Sequence, residues 1–158
     1  MPLQVDVTLT LNGRETTVAV PVGASALTIL REHLDLAGAK LACGEGECGA
    51  CTIIVDGQSL NSCLMPAVDL AGRKVVTIEG LWTADGIDPV QEAFIEHGAV
   101  QCGFCTPGMI MQIRYLLDKN PEMTDKEIRR GLEGNVCRCT GYQKIIDAVI
   151  VAGRSAAA

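Results

Sequence analysis

The chain has 158 residues, a formal net charge of −6 and no basic block, which argues against a nucleic-acid partner. Hydrophobic residues make up 48% of it but aromatics only 3%, so the core must be aliphatic, and no apolar run approaches the roughly eighteen residues that span a bilayer. The first residues show no charged n-region, apolar h-region or twin arginine; this predicts a cytoplasmic chain, with export bound to a signal-bearing partner left open.

In chain order, Leu3, Val5, Val7, Leu9 and Leu11 alternate with polar neighbours, the period of a half-buried strand. Asn12-Gly13 is a hairpin turn, and Thr16 to Val20 returns as the second strand. Pro21 to Gly23 breaks the strand, and Ser25 is placed to cap a helix carrying Leu27, Leu30 and Leu34. A cysteine-rich loop follows. Thr52 to Val55, the Asp56-Gly57 turn and Gln58 to Asn61 form a second hairpin, and Lys74 to Glu79 a last strand. The stretch from Gly80 to Pro89, rich in Gly, Pro and Asp, predicts a linker. Beyond it the apolar spacing is helical. Val90, Ala93, Phe94 and His97 share one face, and Thr106-Pro107 caps a helix that ends at Asn120-Pro121. Thr124-x-x-Glu127 is a capping box, and Ile145, Ile146, Val149 and Ile150 mark a last helix. The expected fold is α+β. A plant-type ferredoxin-like (β-grasp) domain spans 1–80, a linker 81–89, and an all-α four-helix bundle 90–158.

Eight cysteines fall into two quartets, and in a reducing compartment such clusters point to metal rather than disulfides. The first is Cys43-x4-Cys48-x2-Cys51, closed by Cys63, the ligand spacing of a plant-type [2Fe–2S] centre. Gly44, Gly46 and Gly49 separate its ligands, as a chain wrapped tightly round a cluster requires. Glu45 and Glu47 are expected to face solvent, because thiolates rather than carboxylates suit such a centre. The second quartet is Cys102-x2-Cys105 with Cys137-x-Cys139, and its spacing admits either an iron–sulfur centre or zinc. Each of its pairs precedes a predicted helix, whose free first-turn N–H groups and dipole would stabilise a negatively charged cluster.

Three segments carry a family resemblance: Ala42-Cys-Gly-Glu-Gly-Glu-Cys-Gly-Ala-Cys51, Gln101-Cys-Gly-Phe-Cys-Thr-Pro-Gly108 and Gly134-Asn-Val-Cys-Arg-Cys-Thr-Gly-Tyr-Gln143. They resemble the iron–sulfur subunit of molybdenum hydroxylases, the xanthine oxidase/aldehyde oxidoreductase family, along essentially the whole chain. The resemblance implies two [2Fe–2S] clusters, one held by Cys43, Cys48, Cys51 and Cys63 and the other by Cys102, Cys105, Cys137 and Cys139. It also implies that Gln101 hydrogen-bonds the pterin and that Cys139 touches the pterin amino group. The implied partners are a large molybdopterin-binding subunit, where an aldehyde, N-heteroaromatic or similar substrate is hydroxylated, and a medium FAD subunit or a cytochrome (haem) acceptor. Electrons would pass singly through the bundle cluster and then the ferredoxin-like one, so no residue of this chain need be an acid, base or nucleophile.

The other conspicuous residues have plainer readings. His33 and His97 are expected at the surface or in packing, since eight cysteines already satisfy two clusters. Met109, Met111 and Met123 read as core fillers. Trp82 is expected to pack between the domains or against a partner, and Arg138, between two cysteines, to tune the centre or meet a partner. A free two-cluster ferredoxin and a zinc-stabilised interaction module are the rival readings. The hydrophobic fraction and a charged fraction of only 20% favour a subunit with a face to bury.

Overall fold

The computed structural model describes residues 3–82, 84 and 86–156. β1 (Gln4–Leu11) and β2 (Arg14–Pro21) pair antiparallel around Asn12 and Gly13, both at positive φ (49° and 81°) as a two-residue turn demands. β3 (Thr52–Val55) and β4 (Gln58–Asn61) form the second hairpin around Asp56-Gly57. β5 (Lys74–Val76) joins the two, parallel to β1 and antiparallel to β3, giving a five-stranded mixed sheet in the order β2-β1-β5-β3-β4.

β5 stops three residues short of the predicted Glu79. Its neighbour β1 has already turned at Asn12, so the Thr77 amide has no strand to pair with. The Asn12 side chain takes that place: its Oδ1 accepts from Thr77 N (2.9 Å) and its Nδ2 donates to Thr77 Oγ1 (3.0 Å). A 3-10 turn follows (Ile78–Leu81), and Ile78 and Leu81 pack on the helical core.

The predicted cap at Ser25 is present, its Oγ accepting from Thr28 N at 3.2 Å. The helix it starts is α-helical for one turn only (α1, Ala26–Thr28) and continues as a π turn (Ile29–His33) closed by Leu34 N–H on Ile29 O. Ala26, Leu27, Ile29 and Leu30 pack under the sheet against Val7, Leu9, Val20, Ile53 and Val75. Leu3 and Val5, expected on the buried face of β1, lie beyond this cover and are exposed.

The helical half comprises α2 (Pro89–Glu96), α3 (Thr106–Lys119), α4 (Asp125–Gly131) and α5 (Gln143–Ala156). Both halves of the Thr124/Glu127 capping box form, and Asp88 with Gln91 makes a second box that the sequence reading passed over. Thr106 is not a cap but the first helical residue. Cys105 takes the N-cap position without a side-chain bond, which leaves its sulfur free of a helix role. The core is aliphatic as expected, with Met109, Ile113, Leu117, Ile128, Ile145 and Val149 buried and Phe94 its one large aromatic. Trp82 is 72% exposed, so it does not pack between the two halves. Thr83 and Asp85, in the predicted linker, lie outside the described residues, as does the C-terminal pair 157–158.

All four residues of β3 are buried. Ile53 and Val55 face the ferredoxin-like core, while α3 packs against β3 and β4 from the helical half. The two halves therefore share a seam, and both cysteine sites lie beside it.

Candidate metal centres

Three cysteines of the first site share one loop held at both ends, and the fourth, Cys63, follows β4. Arg31 Nη1 donates to Ala37 O (2.8 Å) and Ala39 O (2.7 Å), and Lys40 N donates to Ala50 O (3.0 Å), closing the loop that carries Cys43, Cys48 and Cys51. Gly44, Gly46 and Gly49 all have positive φ (72°, 78° and 67°), which turns amide N–H groups inwards. Glu45 N donates to Cys43 Sγ at 3.4 Å. That amide, helped by those of Cys48 and Glu47, pulls the Cys43 thiol down to about 6. Cys51 is the opposite case. It is buried, and burial pushes its thiol up to about 11. Glu45 and Glu47 are exposed, as expected.

The second site is assembled from the loop that leads into α3, with Cys105 at that helix's N-cap, and from the loop before α5. Cys102 and Cys139 are both exposed, with their sulfurs 3.5 Å apart. Cys105 sits deeper, and burial, then the neighbouring Cys137, push its thiol up to about 12. Burial also works to raise Cys137, but the Thr140 hydroxyl (3.1 Å) and amide (3.4 Å) donate to its sulfur and bring the thiol below its ordinary value. Tyr142, at φ 69°, holds the loop's shape: its hydroxyl accepts from Cys137 N (2.8 Å) and donates to Asn135 O (3.1 Å). All four cysteines line a mainly apolar cavity of about 210 Å³, together with Phe104 and, from the first loop, Cys48.

Each quartet thus resolves into two close pairs: Cys43 with Cys48 and Cys51 with Cys63, then Cys102 with Cys139 and Cys105 with Cys137. Among the described residues no three His, Cys, Asp or Glu side chains converge on one ion. Paired sulfurs are the unit a binuclear centre needs, two thiolates to each iron. Thiols raised by burial give up their protons readily only to a metal, so the donor set fits such a group.

The two sites are joined directly. Val136 N, next to Cys137, donates to the carbonyl of Cys48 at 2.9 Å. Two family profiles match, and they divide the chain between them: a 2Fe-2S iron-sulfur cluster binding domain over residues 9–75 and a [2Fe-2S] binding domain over 77–150. The nicotine 6-hydroxylase small subunit of Paenarthrobacter nicotinovorans is 47% identical over 148 residues, 93% of this chain and 88% of its own. The chain belongs to the small iron–sulfur subunits of the molybdenum hydroxylases. The nicotinate dehydrogenase small FeS subunit of Eubacterium barkeri is 44% identical over 92% of this chain and 93% of its own length. The crystal structure of quinoline 2-oxidoreductase from Pseudomonas putida 86 superposes with a TM-score of 0.94 at 38% identity, covering 98% of this chain and 96% of that one. The small subunit therefore carries two [2Fe–2S]-binding domains, each with four cysteines, and serves electron transfer in a multi-subunit oxidoreductase. Zinc at the second quartet, left open by spacing alone, gives way to the match over 77–150.

Of the predicted site residues, the structure lines one cavity with all four cysteines of the second quartet, sets Cys43 beside Cys48 and Cys51 beside Cys63 in the first, and leaves Gln101 exposed beside the exposed Cys102. His33 is exposed and His97 ends α2, both outside the cysteine sites. Arg138 is exposed at the rim of the second cavity. Sequence reasoning missed the supporting residues Arg31, Asn135, Thr140 and Tyr142. The last three stand inside the third motif, where closeness to a cysteine was a signal for Thr140 and Tyr142 but did not mark Asn135 as buried.

Proposed function

We propose that this subunit relays single electrons from a large molybdopterin-binding subunit to a second acceptor, FAD on a medium subunit or a cytochrome haem. In this reading Cys43, Cys48, Cys51 and Cys63 hold one cluster and Cys102, Cys105, Cys137 and Cys139 the other, with each close pair of sulfurs on one iron. The [2Fe–2S] groups, when bound, supply one-electron chemistry at potentials set by hydrogen bonding to sulfur and by burial. The chain's own part is to hold the thiolates and tune them. The Glu45, Cys48 and Glu47 amides do this for Cys43, and Thr140 does it for Cys137.

The observation that carries the reading is the polarity of the second site. The Cys102–Cys139 pair opens to solvent beside Gln101, while the Cys137 side is bonded through Val136 to the Cys48 carbonyl. That disposition supports the entry face for the pterin that the resemblance implies, touched by Gln101 and Cys139, with an exit towards the first site. The functional division 1–80, 81–89 and 90–158 belongs to the same proposal, as does a cytoplasmic setting. Nicotine, nicotinate and quinoline, named in three of the relatives, are all N-heteroaromatic, and we take that ring class as the substrate of the large subunit. Among the described residues no helix is long and apolar enough to cross a membrane.

The test is electron paramagnetic resonance of the dithionite-reduced complex. Two distinct signals, each of about one spin, are expected. A single signal, or zinc at the second site, overturns the reading. Nicotine, nicotinate and quinoline all failing to reduce the complex while an aldehyde succeeds would overturn the substrate class alone.

A further inference from the structure

Between the two sites lies a residue that is neither thiol nor charged. Asn135, two positions before Cys137, is only 5% exposed. Its Nδ2 stands 3.1 Å from Gly49 O, 3.3 Å from Thr52 Oγ1 and 3.2 Å from Gly108 O. Gly49 follows Cys48 and Thr52 follows Cys51, so two of these acceptors belong to the first loop. Gly108 lies in the first turn of α3, three residues after Cys105. One carboxamide therefore reaches the first loop on both sides of Ala50 and Cys51, and the first turn of α3, the helix that follows Cys102 and Cys105.

The bland alternative is a buried amide satisfying stray carbonyls. It fails at Gly49, whose oxygen already accepts from Thr52 N (3.1 Å) and Thr52 Oγ1 (2.7 Å). The carboxamide adds a tie where satisfaction did not require one, and two amide protons serve three acceptors. The packing leaves no slack around it. A Cβ on Gly108 would meet Gly49 O at 2.1 Å, and one on Gly49 would meet Gly134 O and Asn135 Nδ2, each at 2.4 Å. Backbone thus approaches backbone at the next residue from the Val136–Cys48 hydrogen bond. The Asn135 tie and the Val136–Cys48 hydrogen bond therefore join neighbouring residues of the same two loops.

We infer that Asn135 is the positioning residue that fixes the first cluster's loop against the second cluster's and so sets the electronic coupling between them. The inference rests on the two-centre reading above. Removing the carboxamide leaves both sets of ligands intact and lets the seam open.

The experiment is low-temperature electron paramagnetic resonance of the fully reduced complex, comparing wild type with Asn135→Ala, Asn135→Ser and Thr52→Val. The spin–spin interaction between the clusters, read as splitting or as enhanced relaxation, falls steeply with their separation. Asn135→Ala is expected to keep two signals of about one spin each and to lose most of that interaction, and to slow electron passage between the centres in freeze-quench reduction. Thr52→Val should shift it less, in the same direction. Thr124→Ala breaks the capping box of α4, away from the seam, and should leave it unchanged. An unaltered interaction in Asn135→Ala with both signals present overturns the proposal. If that variant loses iron, Asn135→Ser and Thr52→Val decide: both clusters present with a weakened interaction support it, and an unchanged interaction overturns it. A wild type lacking two signals would instead sink the two-centre reading and the clamp with it.

Discussion

The two cysteine sites reach the same ligand count by different routes. The first gathers three of its four thiols within nine residues, Cys43 to Cys51, on a loop shaped by its own glycines and closed by Arg31 and Lys40. The second joins two pairs whose members lie more than thirty residues apart, Cys105 to Cys137, and only the packing of the helical core, which α3 and α5 share with α2 and α4, brings them together. The first is local geometry dressed with backbone amides, and the second is tertiary geometry braced by side chains, Tyr142 and Thr140. Local sites should tolerate distant damage, and assembled ones should not.

The largest expected effect is loss of one centre without the other. Cys105→Ser should remove about half of the bound iron, all from the helical half, and leave the first signal intact. Loss of both signals would show that the first loop leans on the second far more than its own hydrogen bonds suggest.

Next comes thiol reactivity in the iron-free chain. Cys43, held near 6, is largely thiolate at pH 7 and loses reactivity as the pH falls through that value, whereas Cys51 and Cys105, at about 11 and 12, stay protonated. Brief alkylation with peptide mapping should mark Cys43 first and Cys105 last. Uniform labelling would mean that both loops take shape only around their iron, and the contrast would disappear.

A smaller effect is expected at the seam. Gly49→Ala places a side chain at φ 67° and 2.4 Å from Gly134 O, a combination of backbone strain and overpacking that should cost about 2–3 kcal/mol in chemical denaturation. The smallest sharpens the contrast directly. Tyr142→Phe strips a partner from Cys137 N and from Asn135 O, at a cost of about 1–3 kcal/mol. It should alter the second signal while sparing the first. Equal changes in both signals would mean that Tyr142 braces the seam rather than one site.

Much of this could be read from the chain. The Asn12-Gly13 and Asp56-Gly57 turns, the Ser25 cap, the Thr124/Glu127 box and the Asn120 stop are local signals, and each appears where the residues placed it. Where the reading slipped, the decisive partner was distant in sequence. The end of β5 depends on Asn12, sixty-five residues away, whose carboxamide replaces the missing strand. Thr106 is a strong cap by type, but the cap position falls one residue earlier, on Cys105, which also lines the second cavity.

The sequence by itself determined the ligand count, the spacing of the first quartet and the alternation and capping of the elements, because each rests on contacts within about one turn or one hairpin. Only the tertiary structure decided what lies between the sites. The continuous apolar run of β3 could announce that both its faces are covered but not that α3 covers one of them, and nothing in the third motif told Asn135 apart from a surface turn residue. Hydrogen bonds spanning 86 and 27 residues, from Asn135 to Gly49 and to Gly108, exist only once two independently patterned halves have packed.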